Sequence, residues 1–292
     1  IIHYFCPMFF KTMKYFIFFL ISCAVLCSSC TPYQVVLKES DSVAKYKMAD
    51  SLYQVAMATG KKAKFRSSLK LMEQIVPLYR GKPQAEKLSY IYANTFYNLE
   101  DYFVAGYQFE RFESTYPKSD SVEVAAYKSA KSYCELSPRY SLDQKDTEKA
   151  LEKLQAFVNK YPNSSYRIEA NDLVSELREK LEKKDIENAH QYFKIGQQIG
   201  SYKPAVDAYE NFITDHPGSV FREVAFFGRA EASYNRAITS VPTVQKERLL
   251  ISKEFYSKYA KYYKAGDKKA AADALIAAID KELEKYQQPT EN

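Results

Sequence analysis

The chain has 292 residues, 46% hydrophobic and 27% charged, a balance that places it with folded proteins and excludes a disordered one. Its eight glycines form no GxGxxG or GxxxxGKS/T cluster, and no GxSxG or HExxH signature occurs, so phosphate-cradling loops and the common hydrolase sites are excluded. Three histidines (His3, His190 and His216) are too few for a multi-histidine metal site, and the formal charge of +6 is spread over interleaved signs that offer nucleic acid no basic stripe. No catalytic residue, metal or cofactor is therefore expected.

In chain order, the first predicted element is a leader. Tyr15 to Leu26 is a twelve-residue apolar run, preceded by Met13-Lys14 and followed by Ser28-Ser29-Cys30. A membrane span needs about 20 apolar residues, so this run matches the h-region of an export signal over residues 1–29. Residues 1–12 lie upstream of a better start at Met13 and are expected to be untranslated. Four of the five cysteines fall in this region, and the last follows two small residues. The arrangement resembles a bacterial lipobox with Cys27 where Leu is commonest, which implies acylation of Cys30. Thr31 follows it where an Asp would favour retention in the inner membrane. Residues 30–39 are then a lipid-anchored linker. Cys134 stands alone in the body and reads as a structural thiol.

Beyond the linker the sequence repeats. Ala105, Phe109, Phe112, Tyr116-Pro117 and Ser119 recur as Ala150, Leu154, Phe157, Tyr161-Pro162 and Ser164, then as Ala205, Tyr209, Phe212, His216-Pro217 and Ser219, with offsets of 4, 7, 11, 12 and 14 from the Ala. Offsets of 4, 7 and 11 share one helical face; Pro stops the helix and Ser is placed to cap the next. The same register finds flanking copies at Ser68, Met72, Ile75, Tyr79 and at Ser252, Tyr256, Tyr259, Tyr263. Successive Tyr or His positions lie 37, 45, 55 and 47 residues apart. Preceding helices pair a small residue with an aromatic, as in Ala93/Phe96, Ala130/Tyr133 and Ala189/Tyr192, so that backbones approach closely and rings fill the gaps.

These features resemble the tetratricopeptide plan, whose period is about 34 residues. The predicted fold is an all-α solenoid of about five helix pairs. Repeats are expected over residues 40–162 and 197–292. Residues 163–196, a Pro-free run with apolar Ile168, Leu173, Leu177, Leu181 and Ile186, form a long connecting helical segment, and Ser137 to Lys145 is the clearest loop.

Lipobox, repeats, Tyr79-Arg80-Gly81-Lys82-Pro83-Gln84-Ala85-Glu86 and the interruption Ser137-Pro138-Arg139-Tyr140-Ser141-Leu142-Asp143-Gln144 together resemble the BamD family. The resemblance covers most of the mature chain and implies a non-enzymatic, lipid-anchored scaffold on the periplasmic face of the outer membrane. The implied partners are the periplasmic domains of the barrel-assembly core protein, other assembly lipoproteins and unfolded outer-membrane proteins, whose aromatic-ended C-terminal signals the N-terminal repeats receive. Contact with the membrane is through the lipid only. A different periplasmic tetratricopeptide adaptor, serving envelope constriction or peptidoglycan synthesis, is the alternative. In tetratricopeptide geometry the first helix of each pair lines the binding groove, which points to Tyr53 and Met57 in the first unit and to Lys87, Tyr90, Asn94 and Tyr97 in the second. Aromatics there supply sequence-tolerant contact, and Lys87 is placed to meet a terminal carboxylate.

Overall fold

The computed structural model describes residues 31–286; the leader, Cys30 and its proposed acylation lie outside them. The described residues form twelve α-helices and no strand, an all-α fold of stacked helix pairs. The chain divides into two compact units, 1–132 and 133–292.

Unit 1 begins with a short helix α1 (Pro32–Lys38) and then pairs α2 (Ser42–Thr59) with α3 (Lys62–Ile75), which runs on into a 3-10 turn at Val76–Tyr79. Next come α4 (Ala85–Asn98) with α5 (Tyr102–Thr115), and α6 (Val122–Leu136), within which the unit ends. Local chemistry sets these boundaries. Asp41 accepts a hydrogen bond from the Val43 amide at 2.8 Å and so opens α2. Gly60, at φ 65°, closes it in a left-handed conformation that any side chain would strain.

Unit 2 holds α7 (Lys145–Lys160), α8 (Arg167–Ile199), α9 (Lys203–Asp215), α10 (Arg222–Ile238), α11 (Pro242–Tyr262) and α12 (Lys269–Glu284). The run expected to connect early and late repeats is one continuous 33-residue helix, α8, closed by left-handed Gly200. Ile168 near its start is solvent-exposed, while Leu177 and Ile186 are buried.

The five copies of the repeat register lie along α3, α5, α7, α9 and α11. Ala105, Phe109 and Phe112 are buried in α5, Ala150, Leu154 and Phe157 in α7, and Ala205, Tyr209 and Phe212 in α9. Ser68 and Ser252 replace the small Ala in the flanking copies. Each is fully buried because its hydroxyl donates across the pair, to the carbonyl of Ala49 at 2.7 Å and of Ala230 at 3.0 Å. Serine after the proline does not cap the next helix. Ser119, Ser164 and Ser219 each sit three residues before it, and each Oγ accepts from the amide two residues on at 3.1 Å, so the hydroxyl fixes the turn leading into the helix.

Ala93, Ala130 and Ala189 are all fully buried, as close helix approach requires, and Phe96 is buried beside Ala93. Tyr192 is 47% exposed: the next residue, Phe193, turns into the pair instead and packs on Tyr202 at 5.6 Å. A helix backbone comes close to a neighbouring ring at Gly228 in α10, where an added methyl would lie 2.5 Å from the Tyr209 ring. Gly228→Ala is expected to destabilise unit 2 by about 1–3 kcal/mol through overpacking, read as a lower denaturant midpoint; an unchanged midpoint would show that the ring can move aside.

The 137–144 loop is ordered by its polar residues. Buried Gln144 donates to the carbonyls of Arg139 and Leu142 at 2.9 and 3.0 Å and accepts from Thr147 at 2.8 Å. Asp143 accepts from the Lys145 amide at 2.9 Å, which places a carboxylate at the start of α7.

Candidate functional site

The six sequence-predicted groove residues lie on the first helices of two successive pairs in unit 1. Along α2, Asp50, Tyr53 and Met57 share a face at spacings of three and four; along α4, Lys87, Tyr90, Asn94 and Tyr97 do the same. Amphipathic pairing with α3 and α5 turns the opposite faces into the core, and these faces align side by side.

Asn94 is the centre of the site. It is 2% exposed, and its Nδ2 donates to the Tyr53 hydroxyl at 2.5 Å and lies 3.8 Å from the Met57 sulfur. Its Oδ1 accepts from Nζ of Lys128, on α6, at 2.6 Å. The Lys128 ammonium also lies 5.2 Å from the centre of the Tyr97 ring. Tyr53, Met57, Asn94 and Tyr97 are thereby brought into one network.

Lys87 and Tyr90 sit differently. Lys87 Nζ is 2.6 Å from Asp50 Oδ2, so an internal carboxylate already occupies it. Tyr90 packs edge-on against Phe109 and Phe112 of α5, at 6.1 and 5.5 Å between ring centres. Tyr97 is backed in the same way, by Tyr102 at 5.6 Å and Phe109 at 6.3 Å. Both rings are held from behind by the core and are half-buried.

Burial sets the electrostatics. Desolvation lowers the Lys128 pKa from the usual lysine value, and Lys131 lowers it further. Lys87 moves the opposite way because its hydrogen bond to Asp50 favours the charged form. Burial raises the Tyr53 pKa, against the effect of Asn94, and keeps it a neutral hydroxyl. No carboxylate among the described residues pairs with Lys128, whose ammonium meets only an amide oxygen and a ring face. A partly desolvated cation of this kind is suited to receive an anionic group from outside. The site holds no nucleophile activated by a base.

Lys128 and Asp50 were missed in the sequence. A signal for Lys128 was present, since it stands 34 residues after Asn94, one tetratricopeptide period. Asp50 shows itself only through its contact with Lys87. Elsewhere, burial first, then Glu135 and Glu176, push the Cys134 thiol up to about 12, which makes it unreactive. Among the described residues no cluster could hold a metal ion, and no helix is long and apolar enough to cross a membrane.

A curated relative, the outer membrane protein assembly factor BamD of Caulobacter vibrioides, is 33% identical over 119 residues, covering 39% of this chain and 38% of that protein, so the match spans well under half of the relative's length. A crystal structure of TPR-like repeats from a Podosopora anserina putative kinesin light chain covers 82% of this chain and 96% of its own, with 12% identity and a TM-score of 0.35. The YfiO family, described as outer membrane lipoprotein, matches residues 45–239, which takes in the groove of unit 1, the 137–144 loop and α8 to α10. With that match extending over more than half of the chain, the protein belongs to the BamD-type YfiO family of outer membrane lipoproteins.

Proposed function

We propose that this chain is a non-enzymatic scaffold of the β-barrel assembly machinery, anchored to the periplasmic face of the outer membrane through acylated Cys30. Its repeats over 40–162 receive C-terminal signals of unfolded outer-membrane proteins, and the protein associates with the periplasmic domains of the core assembly protein and with other assembly lipoproteins. The supporting observation is the Tyr53–Asn94–Lys128–Tyr97 network, which combines an unpaired cation with firmly backed aromatic rings on one helical face. An extended peptide ending in an aromatic residue and a carboxylate matches both. Lys128 takes the carboxylate, since Lys87 is tied to Asp50.

Photocrosslinkers at Tyr90 or Tyr97 are expected to capture an unfolded barrel precursor; capture only from exposed residues of α3 or α5 would count against the groove. Copurification with division proteins in place of a barrel-assembly core would favour the constriction adaptor. Cys30→Ala is expected to release a folded, soluble periplasmic protein, and continued sedimentation with outer membranes would contradict the anchor.

The groove also predicts a pH dependence. Because the Lys128 pKa lies below that of a free lysine, the cation that holds the carboxylate is lost early as pH rises. Affinity for a carboxylate-ended peptide should therefore fall on the alkaline side before ordinary lysines titrate. An amidated peptide should show no such fall, and identical profiles for the two would remove Lys128 from the role.

A further inference from the structure

The opposite face of α4 carries a second feature. At 100° per residue, Leu88 and Tyr92 point away from Lys87 and Asn94, and they line a cleft of about 300 Å³ between the outer helices of successive pairs. Four aromatic residues line it, Tyr79 of the 3-10 turn, Tyr92 of α4, Phe112 of α5 and Tyr116 just after α5, together with the polar Ser89, Gln108 and Thr115. Val76 and Leu88 complete the apolar floor.

Cations surround the mouth. Arg80 and Arg111 line it, both solvent-exposed and neither in an ion pair with any described residue. Lys82 lies 4.7 Å from the centre of the Tyr79 ring. No acidic side chain lines the cleft; burial first, then nearby Glu73, raise the Tyr92 pKa, while Arg111 acts to lower it.

Size, wall chemistry and charge narrow the occupant. The volume is at the lower limit of small-molecule pockets, right for one large side chain and its backbone. Aromatic walls favour an aromatic ring held edge to face. Two guanidinium groups with no internal partner favour a carboxylate, which each can grip with paired N–H donors. We infer that this cleft is a docking site for an internal segment of a partner polypeptide carrying an aromatic side chain next to a glutamate or aspartate, separate from the groove on the other side of α4.

The probe is a fluorescein-labelled hexapeptide with one phenylalanine beside one glutamate, both ends blocked, followed by fluorescence anisotropy on the full chain. Saturable binding is expected. It should weaken about ten-fold or more in the Arg80→Glu, Arg111→Glu double variant, and similarly when the peptide's glutamate becomes glutamine or its phenylalanine alanine. A second peptide, with glutamine beside a phenylalanine that ends in a free carboxylate, is expected to give no adducts at the cleft; its crosslinking there in preference to the glutamate peptide would overturn the inference.

Thermal melting guards against a folding defect, and Arg80→Gln with Arg111→Gln provides a milder variant if the charge reversal unfolds unit 1. With a photoreactive benzoyl group on the phenylalanine, adducts should map to residues 76–80 or 108–116. Adducts on 50–57 or on Lys128, affinity unchanged by both arginine variants, or absence of saturation at millimolar protein would each overturn the inference.

Discussion

Lys128→Ala is expected to weaken binding of a carboxylate-ended aromatic peptide by about thirty-fold, equivalent to roughly 2 kcal/mol. The ammonium is the one cation in the network with no carboxylate beside it among the described residues, and it is positioned by Asn94 at 2.6 Å and by the Tyr97 ring. Truncation removes the receiving charge and leaves the Asn94 oxygen without its donor. Stability should change little, because the lost hydrogen bond is offset by relief of the cost of burying the ammonium, the same cost that lowers its pKa. The measurement is anisotropy with carboxylated and amidated forms of one peptide. Wild type should prefer the carboxylate and the variant should not. If the preference survives in Lys128→Ala and disappears in Lys87→Ala, the role belongs to Lys87 and the pairing with Asp50 opens on binding.

Phe109→Ala carries the largest expected cost in stability, about 3–5 kcal/mol. Phe109 is fully buried, and its ring meets those of Tyr90 and Tyr97, so alanine leaves a cavity that a close-packed helix pair fills only in part. That cavity lies directly behind the groove. Denaturant unfolding should show unit 1 losing stability, and amide exchange should accelerate in α4 and α5 ahead of α9 and α10. Peptide affinity should fall as well, since the two tyrosines lose the surface that fixes their orientation. Exchange unchanged in α4 would show that the rings are held from elsewhere.

The repeat register was legible because a helix turns 100° per residue: Ala105, Phe109 and Phe112 can share one face only if that face is buried, and the pattern returned at Ala150 and Ala205. The turn serines were harder to read. Ser119 stands where a helix cap would be plausible, yet the helix begins at Val122, and the hydroxyl bonds within the turn instead. Tyr192 matched the aromatic position, but the rotation of α8 gives that place to Phe193. At the candidate site, Tyr53, Met57, Asn94 and Tyr97 were expected together from tetratricopeptide geometry, whereas the bond between Asn94 and Lys128 joins residues 34 apart on different helices.

Periodicity and proline punctuation in the amino-acid chain were enough to determine the helices and their buried faces, because these depend on spacing along one helix. Which ammonium lacks a carboxylate partner was decided by tertiary packing alone. Lys87 on α4 and Lys128 on α6 are the same residue type, and they differ because Asp50 comes within 2.6 Å of one while an amide oxygen and an aromatic ring meet the other. Charge pairing depends on distance across helices, and that distance exists only once the pairs have stacked.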